Sequence, residues 1–303
     1  MGMRDLKGYG RTPPNPNWPG GARVAVSFVI NFEEGAEMSL SSGDAFNEKV
    51  YEVTDEIVGV PDLCMESHFE YGTKAAWWRI ADTLERLEVP TTVSTCGRAA
   101  ELSPWLIEDA VKRGHEIACH GWRWERHALL GEAEEREKIA KTVKVLTEIA
   151  GHRPVGWHTR STPSPNTRRL LVEEGGFLYD SDDYSDDLPH YKEVSGKKHL
   201  VIPYSFDTND MHFHQGFHRL VTARDFVEYT SDAFDALWAE GETQPKMMSI
   251  GLHLRMIGRP GRISALDGIV SHMRRKGGVW FATRRQIAEH WLSLQDRALP
   301  ARS

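Results

Sequence analysis

The sequence predicts an α/β fold in which a parallel sheet closes, or nearly closes, into a barrel surrounded by helices. Short apolar runs alternate with helical segments along the chain, and this alternation is typical of parallel sheets covered by helices. The length of 303 residues fits a single β/α barrel, which commonly uses about 250 residues. Because no internal repeat or low-complexity linker interrupts the pattern, we predict one barrel domain over 23–303. An extended arm over 1–22, rich in Pro, Gly and Asn, precedes it.

The first half of the chain supplies four predicted strands and four predicted helices. The clearest helix ends at Gly151, because Ile139, Val143 and Leu146 recur before it at helical spacing. A long polar segment over 31–71 separates the first strand from the first helix. The strands are predicted at 23–30, 91–95, 115–119 and 155–158, and the helices at 74–87, 104–113, 132–150 and 166–174.

The second half continues the alternation with shorter strands. An extended segment is predicted at 177–179, and strands at 200–204 and 246–252 flank a helix near 224–240. A last unit places a strand at 279–282 before a helix at 284–294. The number of strands and helices suits a closed or nearly closed barrel.

Composition limits the class of partner. The chain has 37 basic and 44 acidic side chains and a formal net charge of -7, which disfavours nucleic acid or an anionic membrane as the main partner. No run approaches the roughly 18 apolar residues of a membrane-spanning helix, and the first residues lack the apolar core of a secretory signal. Cys64, Cys96 and Cys119 lie far apart, without metal or disulfide spacing. We therefore expect a cytoplasmic protein that acts on a small molecule.

Candidate catalytic residues follow the predicted strands, at the edge where active sites of parallel β/α folds lie. Glu33 and Glu34 end the first strand, and a carboxylate there could activate water as a general base. Adjacent side chains on extended backbone point to opposite sides, so only one of the two is expected to face the site. The sequence leaves open which glutamate that is.

Two histidines also stand at strand ends. His120 could be a metal ligand, a proton carrier or a hydrogen-bonded wall of the pocket. His253 follows an almost continuous apolar strand, so its buried ring needs a partner. We interpret His253 as the general acid, because a protonated imidazole could give a proton to a departing nitrogen.

The order of these motifs resembles the polysaccharide deacetylase superfamily (NodB-like, carbohydrate esterase 4). The similarity rests on FEEG at 32–35, GHEIACH at 114–120, RP at 153–154 and SIGLH at 249–253. Longer segments such as GHEIACHGWRW and IPYSFDTNDM are similar to its subgroup of metal-independent bacterial allantoinases and cyclic imide hydrolases. The resemblance implies a distorted (β/α) barrel and a homo-oligomer, often a tetramer.

The sequence departs from the superfamily pattern at the metal site. Deacetylases of the superfamily carry an Asp-Asp pair where this chain has Glu33 and Glu34, and a second histidine where it has Trp124. Indole cannot ligate a metal, so the usual three protein ligands of a catalytic zinc are not all present. We therefore predict no required cofactor, and the alternative is one Zn²⁺ held by Glu34 and His120.

The resemblance implies hydrolysis of an amide or imide C–N bond, and a metal-free base suits a strained, electron-poor ring. The named expectation is opening of allantoin to allantoate in purine catabolism, with another hydantoin or cyclic imide as the alternative. A metal-dependent N-deacetylase of amino sugars and a non-catalytic binding protein are the other hypotheses. Backbone N–H groups near Arg153 to Trp157, or the His120 ring, are expected to stabilise the oxyanion. The residues expected to bind substrate are Trp122, Trp124, Arg153, Trp157, Arg160, Asn209 and Asp210.

Overall fold

The fold is a distorted (β/α) barrel, as predicted, built on a curled and mostly parallel sheet. A computed structural model of the chain describes residues 4–49, 56–214 and 220–294. Its strands are β1 (Val24–Phe32), β2 (Thr91–Thr95), β3 (Glu116–Cys119), β4 (Gly156–Trp157), β5 (Tyr179–Asp180), β6 (His190–Val194), β7 (Lys197–Val201), β8 (Lys246–His253) and β9 (Val279–Phe281). Its helices are α1 (Leu63–Tyr71), α2 (Trp77–Arg86), α3 (Gly97–Leu102), α4 (Pro104–Lys112), α5 (Glu132–Ala150), α6 (Thr167–Glu174), α7 (Ala223–Glu240), α8 (Leu254–Ile257), α9 (Ser264–Lys276) and α10 (Arg284–Ser293).

The strand order brings the ends of distant segments to one edge. Neighbouring strands follow the order β6-β7-β5-β4-β3-β2-β1-β8, and β9 pairs with the first residues of β1. β1 pairs with β2, β8 and β9: all nine of its residues are buried, and Asn31 in it is the register partner of His253 in β8. Because these pairings are parallel, the carboxyl ends of β1, β3, β4 and β8 open onto the same edge.

Several elements differ from the sequence prediction. The segment predicted as a polar connection contains α1, and α9 lies in a stretch to which no element was assigned. The strand predicted at 200–204 ends at Val201, and it pairs antiparallel with β6. Ser195 and Gly196 join this hairpin with positive φ angles of 51° and 74°, as a tight turn between two strands requires.

The N-terminal arm packs on the barrel through Trp18, which is 2 % exposed. Its indole Nε1 donates to the carbonyl oxygen of Lys246 at 2.7 Å, and its ring lies against Trp280 and Trp291. Trp18 is thus part of this chain's own core. Among the described residues, no helix is both long and apolar enough to cross a membrane.

Candidate active site

A cavity of about 220 Å³ opens at the carboxyl ends of the central strands. Asn31 lies near the end of β1, and Glu33, His120 and His158 directly follow β1, β3 and β4. These three residues are positioned at the cavity because each comes immediately after a buried strand, at the carboxyl edge of the parallel sheet. The cavity is lined by these side chains together with Trp124, Arg160, Ser161, Tyr204, Phe206, Asn209, Met211 and His253.

Glu33 lies at the centre of the charged groups around this cavity and is 1 % exposed. Its Oε1 is 3.4 Å from Nε2 of His120 and 3.6 Å from Nε2 of His253, and its Oε2 accepts a hydrogen bond from Nη1 of Arg255 at 2.9 Å. Burial alone would raise the pKa of Glu33, but the charges of His253 and Arg255, with His120, outweigh it and lower the pKa. Glu33 is therefore an ionised carboxylate beside two imidazoles.

His253 is held by Asp210, which the sequence analysis had expected to contact substrate. Nδ1 of His253 donates to Oδ1 of Asp210 at 2.7 Å, and Oδ2 of Asp210 accepts from the backbone N–H groups of His253 and Ile257 at 2.8 and 3.1 Å. Asp210 is fully buried and orients the imidazole, so the structure gives it a positioning contact in place of substrate binding. Burial alone would lower the pKa of His253, but Glu33 and Asp210 outweigh it and raise the pKa. Both carboxylates thus favour the protonated ring, whose Nε2 faces Glu33.

The orientation of His120 follows from its backbone contact. Its Nδ1 is 2.8 Å from the carbonyl oxygen of His158, and a carbonyl can only accept, so Nδ1 carries a hydrogen. The other ring nitrogen, Nε2, faces Oε1 of Glu33 at 3.4 Å, and it can donate to this carboxylate only when it also carries a hydrogen. His120 is 3 % exposed and lines the cavity.

Glu34 faces away from this cavity. It lines a second cavity with Glu37, Glu66 and Glu70, and its Oε1 is 3.6 Å from Nη1 of Arg255. Burial raises the pKa of Glu34 to about 7, Arg255 opposes this rise, and Glu33 adds to it. The structure therefore brings Glu33, and not Glu34, beside His120 and His253. The predicted alternative ligand pair of Glu34 and His120 does not form, because Glu34 points to the other side of the extended chain.

Arg255 is a functional residue for which the sequence analysis assigned no role. Its guanidinium is 1 % exposed, pairs with Glu33 and lies 4.2 Å from the ring centroid of Phe69 and 5.3 Å from that of Trp124. The only signal in the sequence is its position two residues after His253. The guanidinium packs against the faces of these two rings while it holds the Glu33 carboxylate in place.

Trp124 forms one wall of the cavity, as expected, but Arg160 and Asn209 are already engaged. Nη1 and Nη2 of Arg160 each bind one oxygen of Glu48 at 2.8 Å, and the guanidinium lies 3.4 Å from the ring centroid of Trp124. Oδ1 of Asn209 accepts from the backbone N–H of Met211 at 2.9 Å. Neither side chain therefore keeps two free groups with which it could hold a substrate in bidentate fashion.

Three further predicted site residues lie elsewhere. Trp157 is fully buried and packs edge-on against His127 and Phe177, in the core. Trp122 is 8 % exposed and lies under the ammonium of Lys141 at 3.6 Å. Arg153 precedes β4 and binds Glu174, so it lies at the edge of the sheet opposite the cavity. Large aromatic and basic side chains near a strand end do not by themselves indicate which surface they face.

The residues present do not fit the zinc site of the superfamily. Trp124 stands where a second histidine would ligate, and the indole offers a donor N–H only. Over 4–49, 56–214 and 220–294, no three His, Cys, Asp or Glu side chains come together in a way that could hold a metal ion. We derive no catalytic step through a metal at this site.

The charge states of Glu33 and His253 predict a one-sided pH profile. With Glu33 as the general base, activity requires its ionised form, and its lowered pKa keeps it ionised through mildly acidic pH. With His253 as the general acid, activity requires the protonated ring, so the rate should fall as pH rises through a pKa above the ordinary value of about 6.5. Measurement of kcat/KM between pH 4.5 and 9.5 checks this, with Glu34→Gln as the control because it removes the titration near 7. A bell-shaped profile of kcat/KM whose acid limb lies near neutral pH, in both the wild type and Glu34→Gln, would contradict the assignment.

The fold and the site together define a protein of the β/α class with a buried carboxylate beside two imidazoles at the carboxyl edge of its sheet. The sequence model of the polysaccharide deacetylase family matches residues 60–177. A Schizosaccharomyces pombe protein assigned by name to the polysaccharide deacetylases is 35 % identical over 95 % of this chain and 96 % of its own length. The chain belongs to the polysaccharide deacetylase family.

Two solved structures are similar along nearly the whole chain. A probable polysaccharide deacetylase from Pseudomonas aeruginosa PAO1 is 46 % identical with a TM-score of 0.92, and covers 98 % of this chain and 99 % of its own. The PuuE allantoinase is also 46 % identical with a TM-score of 0.92, and covers 97 % of this chain and 98 % of its own. The two names describe different substrates, and the two structures are equally similar to this chain. The similarity alone therefore does not identify its substrate, which has to be inferred from the residues of its own site.

Proposed function

We propose that this chain hydrolyses a cyclic amide, with a hydantoin or imide ring as the substrate class and allantoin, opened to allantoate, as the named candidate. The observation that carries the proposal is the Glu33–His253 pair, with 3.6 Å between Oε1 and Nε2, in which the pKa of Glu33 is lowered and that of His253 is raised. A base and an acid whose pKa values are pushed apart are what amide hydrolysis needs when the carboxylate itself activates water. The 46 % identity to the PuuE allantoinase supports the same class.

The chemical steps follow from this geometry. Glu33 accepts a proton from a water molecule while the water oxygen attacks the ring carbonyl carbon and the carbonyl electron pair moves to its oxygen. When the C–N bond breaks, the ring nitrogen takes a proton from Nε2 of His253. The proton held by Glu33 then passes to His253 across the short gap between them, so that both groups return to their starting states.

The basicity of Glu33 favours a ring over an acetamide. A carboxylate with a lowered pKa is a weak base and needs an electrophilic carbonyl. Imide and hydantoin carbonyls are more electrophilic than the carbonyl of an N-acetyl group, because the ring nitrogen is shared with a second carbonyl. A weak base therefore suits these rings better.

The size and charge of the cavity support a small neutral substrate. Its volume of about 220 Å³ lies below the ~300–1,000 Å³ of pockets that bind drug-sized ligands. The arginine in its wall, Arg160, is paired with Glu48, and the nearby buried Arg255 is paired with Glu33. A neutral, flat ring beside Trp124 satisfies both conditions.

A metal-dependent N-deacetylase of amino sugars is the second candidate, because the Schizosaccharomyces pombe and Pseudomonas aeruginosa proteins carry deacetylase names. The donor set weighs against it, since Trp124 replaces a histidine ligand.

Hydrolysis of a substrate panel after exhaustive chelation separates the two candidates. The panel contains allantoin, hydantoin, dihydrouracil, succinimide and an N-acetylglucosamine oligomer. We expect the chelated protein to open at least one ring at a rate that added Zn²⁺ leaves unchanged. Activity on the acetylated sugar alone, and only after Zn²⁺ is restored, would overturn the proposal in favour of the deacetylase.

We further propose that the protein is cytoplasmic, on the composition and cysteine spacing of the sequence, and that it assembles as a homotetramer, as the family resemblance implies. Sedimentation of the purified protein measures the assembly directly.

A further inference from the structure

Tyr204 reaches the active-site cavity from a segment beyond the sheet. It follows β7 by three residues, is 5 % exposed, and its ring centroid lies 4.4 Å from that of His158. Its hydroxyl extends over β8 at Gly251, where an added Cβ would overlap both the Tyr204 hydroxyl and the Asn209 amide. Gly251 therefore permits a close approach that any other residue would prevent.

The hydroxyl oxygen of Tyr204 accepts two hydrogen bonds. Nδ2 of Asn31 and Nδ2 of Asn209 each lie 3.1 Å from it. The orientation of both amides is fixed by other contacts: Nδ2 of Asn31 also donates to the carbonyl oxygen of Leu252 at 3.2 Å, and Oδ1 of Asn209 accepts from Met211. Both neighbours are thus donors, and neither can receive the Tyr204 hydrogen.

The hydrogen of Tyr204 is therefore available to the cavity that the ring lines with Glu33 and His253. Burial is the largest influence on this hydroxyl and raises the pKa of Tyr204 well above its ordinary value, so the hydroxyl stays protonated and remains a donor. Asn31 is the register partner of His253, which places the hydroxyl above the strand ends that carry the acid and the base.

The sequence analysis expected the oxyanion donors near Arg153 to Trp157 or at the His120 ring. The backbone N–H groups that follow this stretch at the cavity, and one nitrogen of the ring, are already in use. The backbone N–H of His158 donates to Cys119 at 2.9 Å, and that of Thr159 donates to Asp182 at 3.0 Å. The Nδ1 hydrogen of His120 is taken by the carbonyl oxygen of His158. A substrate oxyanion thus needs another donor.

We propose that Tyr204 is a further catalytic residue, whose O–H donates a hydrogen bond to the substrate carbonyl oxygen as negative charge develops there. No proton is transferred in this contact: the C=O electron pair moves to oxygen as water adds, and the hydroxyl stabilises the charge. The two asparagine donors polarise the Tyr204 oxygen and strengthen its O–H as a donor. This inference rests on the proposed hydrolysis at a carbonyl carbon, but not on the identity of the ring.

Tyr204→Phe removes the hydrogen and keeps the ring. We expect kcat to fall by ~10²–10³-fold, the usual effect of losing one oxyanion donor, with a much smaller change in KM. Tyr184→Phe is the matched control, because the Tyr184 hydroxyl already donates to Ser161 at 2.6 Å. This variant should lower kcat far less than Tyr204→Phe does. Equal losses in the two variants would overturn the assignment.

An oxygen-to-sulfur exchange separates the catalytic contact from a structural one. Wild type and Tyr204→Phe are each assayed on hydantoin and 4-thiohydantoin, or on N-acetyl and N-thioacetyl glucosamine oligomers if the protein proves to be a deacetylase. Since sulfur is a weak acceptor, the wild type should prefer the oxygen compound, and Tyr204→Phe should lose most of this preference. The ratio does not depend on how much of the variant is folded.

The outcomes distinguish the two proposals. An undiminished oxygen preference in Tyr204→Phe would mean that the hydroxyl only holds Asn31 and Asn209, and would overturn its catalytic role. Which substrate the wild type turns over tests the proposed function separately. A wild type that hydrolyses none of these compounds would overturn both proposals.

Discussion

Glu33→Gln should lower kcat by about 10²–10⁴-fold, the range expected for loss of a general base. The substitution keeps the shape of the side chain, but an amide oxygen cannot accept a proton from water at neutral pH. It also removes the negative charge that pairs with Arg255 at 2.9 Å, so the thermal unfolding temperature should be recorded alongside the rate. Steady-state kinetics on the ring that the wild type opens fastest is the measurement.

The neighbouring glutamate supplies the control for this prediction. Glu34→Gln makes the same chemical change one residue away, in a side chain that faces the second cavity. It should retain most of the activity, because Glu34 lies beside neither His120 nor His253. If Glu34→Gln proves as damaging as Glu33→Gln, or if Glu33→Gln keeps a rate close to that of the wild type, the base has been assigned wrongly.

The strands and the polar residues that follow them could be predicted from the sequence, because both depend on local patterns. An apolar run indicates a buried strand, and the residue after it lies at the carboxyl edge wherever the strand pairs in parallel. Glu33, His120 and His253 are placed together for this reason. The choice between Glu33 and Glu34 could not be predicted, since it depends on which side of β1 faces the cavity.

The contacts that sequence analysis missed join residues far apart in the chain. Arg255 pairs with Glu33, 222 positions away in the sequence, and Tyr204 accepts a hydrogen bond from Asn31, 173 positions away. No local periodicity encodes such a pair, because each partner has the same neighbours whether or not the other is present. The location of Arg153 away from the cavity could be predicted, because Arg153 precedes its strand and therefore lies at the amino-terminal edge of the sheet.

His253→Ala should also lower kcat, again by about 10²–10⁴-fold, because the departing nitrogen loses its proton donor. The variant has a specific signature beyond the lost rate. The fall in activity at alkaline pH is assigned to deprotonation of His253, so this limb of the profile should disappear when the group that titrates is removed. Added imidazole should restore part of the rate, since the substitution leaves space where the ring was. These effects are measured as kcat/KM against pH with and without imidazole.

Asp210→Asn tests the same acid without removing it. Asp210 raises the pKa of His253 by its charge and its hydrogen bond, so its neutralisation should move the alkaline limb to lower pH while the limb itself persists. A limb that disappears in His253→Ala and shifts in Asp210→Asn can only come from the imidazole. If both variants keep the wild-type alkaline limb, another group supplies the proton and the role of His253 is structural. The limb thus identifies the acid by its titration, which a loss of rate alone cannot do.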